Sequence, residues 1–146
     1  MLTSKTFGYA VRGLLYLSKE ASHDKYIQMD VIAQRIHAPK HFLAKIFKKL
    51  ADAQWIDSIK GPNGGFKSNE NTLNASLLEL LLLTDPNDPL DHCVLKWEKC
   101  NSKRPCPFHV HIDPIKSQFI KVLKQTRIID LLDVNIRNKH SFLKDI

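Results

Sequence analysis

No stretch of this 146-residue chain approaches the roughly 20 consecutive apolar residues that a bilayer-spanning helix requires. The apolar Leu14–Leu17 is flanked by Arg12 and Lys19 and is too short for the core of a secretory signal, so a soluble, cytoplasmic protein with no membrane partner is expected. Cysteine is scarce as well. Its three residues, an odd number, all fall between positions 93 and 106, which argues against a disulfide framework and for metal or redox chemistry. Basic residues are missing between Ser68 and Asp91, where five acids stand, so a polyanion-binding face is excluded from that stretch. There is no internal repeat and no low-complexity segment.

What is present is a globular composition, 43% hydrophobic, with a formal charge of +7 and a pI near 9.4. The charge is unevenly spread. Residues 1–67 carry eleven Lys/Arg against five Asp/Glu, whereas residues 68–146 carry eleven against ten. A nucleic-acid face therefore belongs to the first half.

Hydrophobic periodicity predicts a first helix over residues 4–20, with Phe7, Ala10, Val11, Leu14, Leu15 and Leu17 on its stripe, and a turn-friendly stretch at Ser22–Lys25. A short helix over Met29–His37 ends at Ala38-Pro39, because proline disfavours helix in the residue before it. A longer helix follows over Lys40–Ala53, apolar through Phe42, Leu43, Ile46, Phe47 and Leu50. Trp55–Lys60 alternates apolar and polar, Gly61-Pro62-Asn63-Gly64-Gly65 is the strongest turn signal, and Phe66–Ser68 returns as a second strand. A helix-turn-helix followed by a hairpin is the winged arrangement. Beyond it come a leucine-rich helix over Asn74–Thr84, breakers at 85–89, and an aperiodic loop at 90–114. A long amphipathic helix then runs from Pro114 to about Val134, ahead of a mixed tail.

Lys40–Lys49 provides an apolar anchoring face and a basic outer face, as a recognition helix needs. His41 and Lys45 lie one turn apart near its start, where base edges are met, and Lys48 and Lys49 suit phosphate. Lys60, Asn63 and Lys67 around the hairpin tip suit an adjacent minor groove, and Lys5 adds a cation on the first helix. The plain alternative is a solvated basic helix beside a tight turn, or a winged helix used for protein contacts.

Cys93, Cys100 and Cys106 are separated by six and five residues, with His109 close behind. Zinc sites usually show paired Cys-x₂₋₄-Cys knuckles, which are missing. Three dispersed thiolates fit better around an iron–sulfur cluster, with His109 placed as a fourth ligand. Lys96, Lys99, Lys103 and Arg104 would offset the negative charge, and His92 and His111 are weaker ligands. Three free thiols with no metal remain an open reading. An enzyme reading, with Cys106 and His109 as nucleophile and base, lacks a third orienting residue and an oxyanion element.

Several segments together resemble a known family. Leu2-Thr3-Ser4-Lys5 with Tyr9–Leu17 resembles the first helix of the IscR/NsrR-type bacterial regulators, the Rrf2 family. Ile32-Ala33 with Phe42–Leu50 is similar to its helix-turn-helix. Ile59–Phe66 is similar to its wing motif, commonly Arg-Gly-Pro-x-Gly-Gly-Tyr, and Cys106-Pro107-Phe108-His109 to the end of its cluster loop. The resemblance covers about residues 2–134. It implies a homodimer paired through the C-terminal helix, double-stranded promoter DNA as partner, and a 2Fe–2S or 4Fe–4S cluster on the three cysteines. It also implies His109 as the fourth ligand, since no Asp or Glu precedes Glu20. Lys60 stands for the wing arginine, Ala44 and Lys45 for residues that the IscR branch tends to have as Glu and Gln, and the first cysteine gap is one residue longer than usual there. A different operator follows.

The expectation is thus a mainly α fold with a small β-hairpin wing, divided into a winged helix-turn-helix (1–84), a sensor loop (85–113), and a dimerisation helix with tail (114–146). Its function is expected to be non-enzymatic transcription regulation, sensing cluster status, redox state or nitric oxide. The alternative is a cluster-free regulator responding to thiol oxidation or a partner protein.

Overall fold

The structure, a computed structural model, describes residues 3–20, 24–85, 90, 92–97 and 99–137. The first helix, α1 (Lys5–Lys19), starts where the Ser4 hydroxyl accepts the Phe7 amide at 3.1 Å, which satisfies an otherwise orphaned donor. Ala10, Leu14 and Leu17 are fully or almost fully buried, and α1 packs against most of the other elements. Helices α2 (Met29–Arg35) and α3 (Lys40–Asp52) are joined by a turn in which His37 takes a positive φ of 52°. Pro39 then occupies the N-cap of α3. Ile32, Ile36, Leu43, Phe47 and Leu50 close the core between them, each contributing about 2 kcal/mol by burial.

Strands β1 (Ile56–Ile59) and β2 (Gly65–Ser68) pair antiparallel, with Ile56 opposite Ser68 and Ile59 opposite Gly65. The hairpin is not free-standing. Ile27 and Phe66 exchange backbone bonds of 2.8 and 2.9 Å, and the Gln28 amide donates to the Pro62 carbonyl at 3.0 Å. Gly65 is required here. Its φ is +152°, and a Cβ would lie 2.4 Å from the Ile27 carbonyl oxygen.

The chain then departs from its sequence pattern. A short helix, α4 (Glu70–Asn74), precedes α5 (Leu77–Thr84), so the leucine-rich helix starts after Asn74 rather than at it. A capping box between Asn69 and Thr72 builds α4. The buried Thr72 hydroxyl also donates to the Trp55 carbonyl and so ties α4 to the hairpin base.

The expected single helix from Pro114 to Val134 is two. Helix α6 (His109–Gln125) begins before Pro114, which sits inside it at the cost of one amide donor. Thr126 turns extended, and Arg127 bridges to Ser76 before α7 (Ile128–Arg137) resumes. The break is stabilised by two backbone bonds, Leu77 N–H to Thr126 O at 2.9 Å and Ile128 N–H to Ala75 O at 3.1 Å. Ile128 and Leu123 are buried at this junction. The expected turn at Ser22, the breakers at 86–89 and the tail from 138 onward lie outside the described residues.

Candidate nucleic-acid interface and thiol pocket

Helix α3 turns Leu43, Ile46, Phe47 and Leu50 inward and leaves His41, Lys45, Lys48 and Lys49 exposed. Its amphipathic sequence permits only this orientation, because the opposite one would bury three ammonium groups. Lys60 and Asn63 are exposed at the hairpin turn, and Lys5 is exposed at the start of α1.

Three of the lysines singled out in the sequence, Lys40, Lys48 and Lys67, have partners that the sequence did not disclose. Lys40 pairs with Asp30 of α2 at 2.6 Å, and Lys48 with Asp52 one turn along α3 at 3.0 Å. Lys67 on β2 bonds the Asp24 carboxylate, and its ammonium lies 6.0 Å from the centre of the Tyr26 ring. That hydrogen bond, with the accompanying charge, holds Asp24 below the usual carboxylate range and Lys67 above its ordinary value. Among the described residues, His41, Lys45, Lys49 and Lys60 form no ion pair.

The second feature is a cavity of about 530 Å³ beside the start of α6, whose wall includes Cys93, Cys100, Cys106, His109, Trp97 and Arg104. Three loop segments and one helix terminus bring these side chains together. Lys96 N–H bonds Cys93 O at 2.8 Å, closing a turn, and His92 and Lys99 form an antiparallel bridge that flanks Cys93 and Cys100. His109 N–H bonds Cys106 O at 3.0 Å, which fixes the last thiol against the helix. Cys100 Sγ lies 3.3 Å from His109 Nδ1, and the far nitrogen, Nε2, is 3.9 Å from an Asp113 carboxylate oxygen. His92 is exposed, and His111 packs its ring against Phe108.

Cys93 is the buried thiol of the set. Burial pushes it up. Hydrogen bonds with the Leu95 and Trp97 backbone and the Cys106 thiol, together with the charge of Lys116, outweigh this and leave it below the ordinary thiol range. Lys116, on α6, escaped notice in the sequence because it is one cation among many there. Among the described residues, no three His, Cys, Asp or Glu side chains converge closely enough to hold a single metal ion. The four donors are instead spread around the cavity wall.

A third feature is apolar and outward-facing. Val110, Ile115 and Val122 on α6 and Ile129 on α7 are exposed, and Pro114, Ile115, Phe119 and Val122 line a groove of about 470 Å³. Among the described residues, no helix is long and apolar enough to cross a membrane.

Residues 3–134 match the model of a family described as Rrf2, iron-dependent transcriptional regulator. An HTH-type transcriptional regulator of Aquifex aeolicus is 31% identical over 144 residues, with 97% of each chain covered. The regulator NsrR of Shouchella clausii is 26% identical over 132 residues, covering 90% of this chain and 87% of its own. Among solved structures, CymR, the global cysteine regulator of B. subtilis, superposes with a TM-score of 0.70 at 20% identity, covering 90% of this chain and 95% of its own. The T. potens IscR structure superposes with a TM-score of 0.68 at 14% identity over 97% of this chain and 95% of its own. These structures share the fold: the winged helix-turn-helix expected from the sequence. With the family match spanning nearly the whole chain, the protein belongs to the Rrf2 family of transcriptional regulators and is not an enzyme.

Proposed function

We propose that this regulator acts as a homodimer on double-stranded promoter DNA and that its thiol pocket holds an iron–sulfur cluster whose presence sets DNA affinity. The observation that carries the reading is the meeting of Cys93, Cys100, Cys106 and His109 on one cavity wall. Donors spread over a wall rather than converging on a point suit a group with several metal corners, and thiolate plus imidazole is the donor set such groups take. The three cysteines and His109 would hold it. When bound, it would supply a redox-sensitive link among four side chains, of which Cys100 and His109 are otherwise in hydrogen-bond contact.

The protein's own residues convert that link into a change at DNA. Cys106 and His109 sit at the start of α6, so the state of the loop bears directly on that helix. At its other end, α6 is stitched through Thr126 and Ile128 to Leu77 and Ala75, next to the winged domain. The exposed apolar face of α6 supplies the surface for pairing two protomers. A two-fold dimer presents two copies of α3, with His41 and Lys45 toward base edges and Lys48, Lys49 and Lys5 toward phosphate. Lys60 and Asn63 at the wing face a minor groove. A shift of α6 therefore alters the spacing of the two recognition helices.

A second reading is favoured by the free thiols of Cys93 and Cys106 lining the same cavity, an arrangement that suits reversible oxidation in a cluster-free regulator. Iron and acid-labile sulfide, with a visible spectrum, on protein purified without oxygen separate the two. Comparable iron and sulfide with broad absorption, both lost in Cys100→Ser without loss of helical signal, support the cluster. Colourless protein after attempted reconstitution overturns it and leaves thiol chemistry.

A further inference from the structure

The feature of this pocket that the four donors do not account for is Lys116. Its side chain is buried, 6% exposed, and its ammonium donates to the His92 carbonyl at 3.2 Å. Burying an ammonium costs several kcal/mol unless negative charge or good acceptors surround it. Among the described residues, no carboxylate lies within ion-pair distance of Lys116. The carbonyl that it does bond belongs to His92, the residue immediately before the buried Cys93 thiol.

The placement of Lys116 has a consequence for the whole pocket. His109 and Lys116 are seven residues apart on α6, so they lie on one face two turns apart. Each makes one connection to the cysteine loop: His109 to Cys100 Sγ, Lys116 to the His92 carbonyl. His92 in turn forms the bridge with Lys99 whose two strands lead straight into Cys93 and Cys100. One ammonium therefore holds the base of the segment that carries two of the three thiols.

We infer that Lys116 is a positioning residue of the thiol pocket, locking the Cys93–Cys100 segment onto α6 and holding a fixed positive charge beside the thiolate-bound, anionic group. This deepens the cluster reading and rests on it for the second role alone; the locking role concerns the metal-free chain as well. A methionine would fill the same volume without bonding the carbonyl or carrying charge, and an arginine would keep both.

The test compares Lys116→Met and Lys116→Arg with the wild type in the full-length chain. Hydrogen exchange of residues 92–100 in reduced, metal-free protein reads the lock. Lys116→Met is expected to lose about tenfold in protection there, with the winged domain unchanged, and Lys116→Arg to retain it. Reduction potential after reconstitution reads the charge, and Lys116→Met is expected to move it to more negative values while Lys116→Arg holds it. Wild-type protection in Lys116→Met overturns the lock, and a potential shared by all three proteins overturns the charge. If the wild type takes up no iron or sulfide, the charge role falls together with the cluster reading, and the exchange comparison still decides the lock.

Discussion

The Lys67 ammonium is bonded to the Asp24 carboxylate, so the last lysine of the wing is already paired with an anion of the protein itself. Composition alone would count Lys67 with the free cations of the DNA face. The pair instead draws it back across the ring of Tyr26. Asp24→Asn should release it. DNA affinity is expected to rise a few-fold at low salt, with the slope of log affinity against log salt steepening by about 0.9, the value for one more phosphate contact. An unchanged slope would show that Lys67 stays away from phosphate even when freed.

Lys45 and Lys49 share α3, one near its middle and one a turn further toward its end, and both are exposed. Lys45→Ala is expected to cost about 1–3 kcal/mol on the cognate operator and little on random DNA. Lys49→Ala should weaken both alike and lower the salt slope by about one unit. Gel-shift titrations of the two variants on both DNAs check this, and equal losses everywhere would remove the division of roles.

Where the sequence was readable, the signal was local. The stripes of α1, α2 and α3 and the Gly-Pro-Asn-Gly-Gly turn are each contained within one element, and the structure places those elements within a residue or two of their patterns. Helix α4 was invisible because Glu70–Asn74 is too short for a period, and Thr72 at its third position disguises a capping box that usually ends in Glu or Gln. Pro114 misled in the opposite way, since a proline normally found at a helix start here follows one already begun at His109. The break at Thr126 has neither glycine nor proline to announce it and exists because that backbone pairs with the Ala75–Leu77 segment. At the sites, the residue types were legible but their partners were not. Asp24, Asp30 and the His92 carbonyl are remote in sequence from Lys67, Lys40 and Lys116, and spacing carries no information about them.

Gly13 lets α1 approach α3. A Cβ at this position would lie 2.7 Å from a ring carbon of Phe47, and Phe47 is fully buried. Gly13→Ala should therefore destabilise by about 1–3 kcal/mol through overpacking, despite the better helix propensity of alanine. Adding Phe47→Leu should recover part of the loss, a coupling that urea denaturation of the single and double variants would measure. Additive losses would mean that the two helices separate without resistance.

Glu79 gives the fold a predictable pH response. It accepts from the Ser76 amide at 2.9 Å and the Ser76 hydroxyl at 2.7 Å, while its own amide donates back to that hydroxyl at 3.2 Å. Those bonds favour the ionised carboxylate and hold its pKa below the ordinary glutamate value. A depressed folded-state pKa means that the stabilisation is fully present above the unfolded value and is lost as pH falls through the folded one. The side chain is exposed, so solvent screening keeps the contribution at or below about 1 kcal/mol. Glu79→Gln keeps an acceptor for the Ser76 donors but cannot ionise. Its stability at pH 7 should fall by no more than that amount, and the gap to the wild type should close as both are acidified below the normal glutamate range. Thermal unfolding at a series of pH values checks this; a gap that stays constant on acidification would show that α5 is capped without help from the charge.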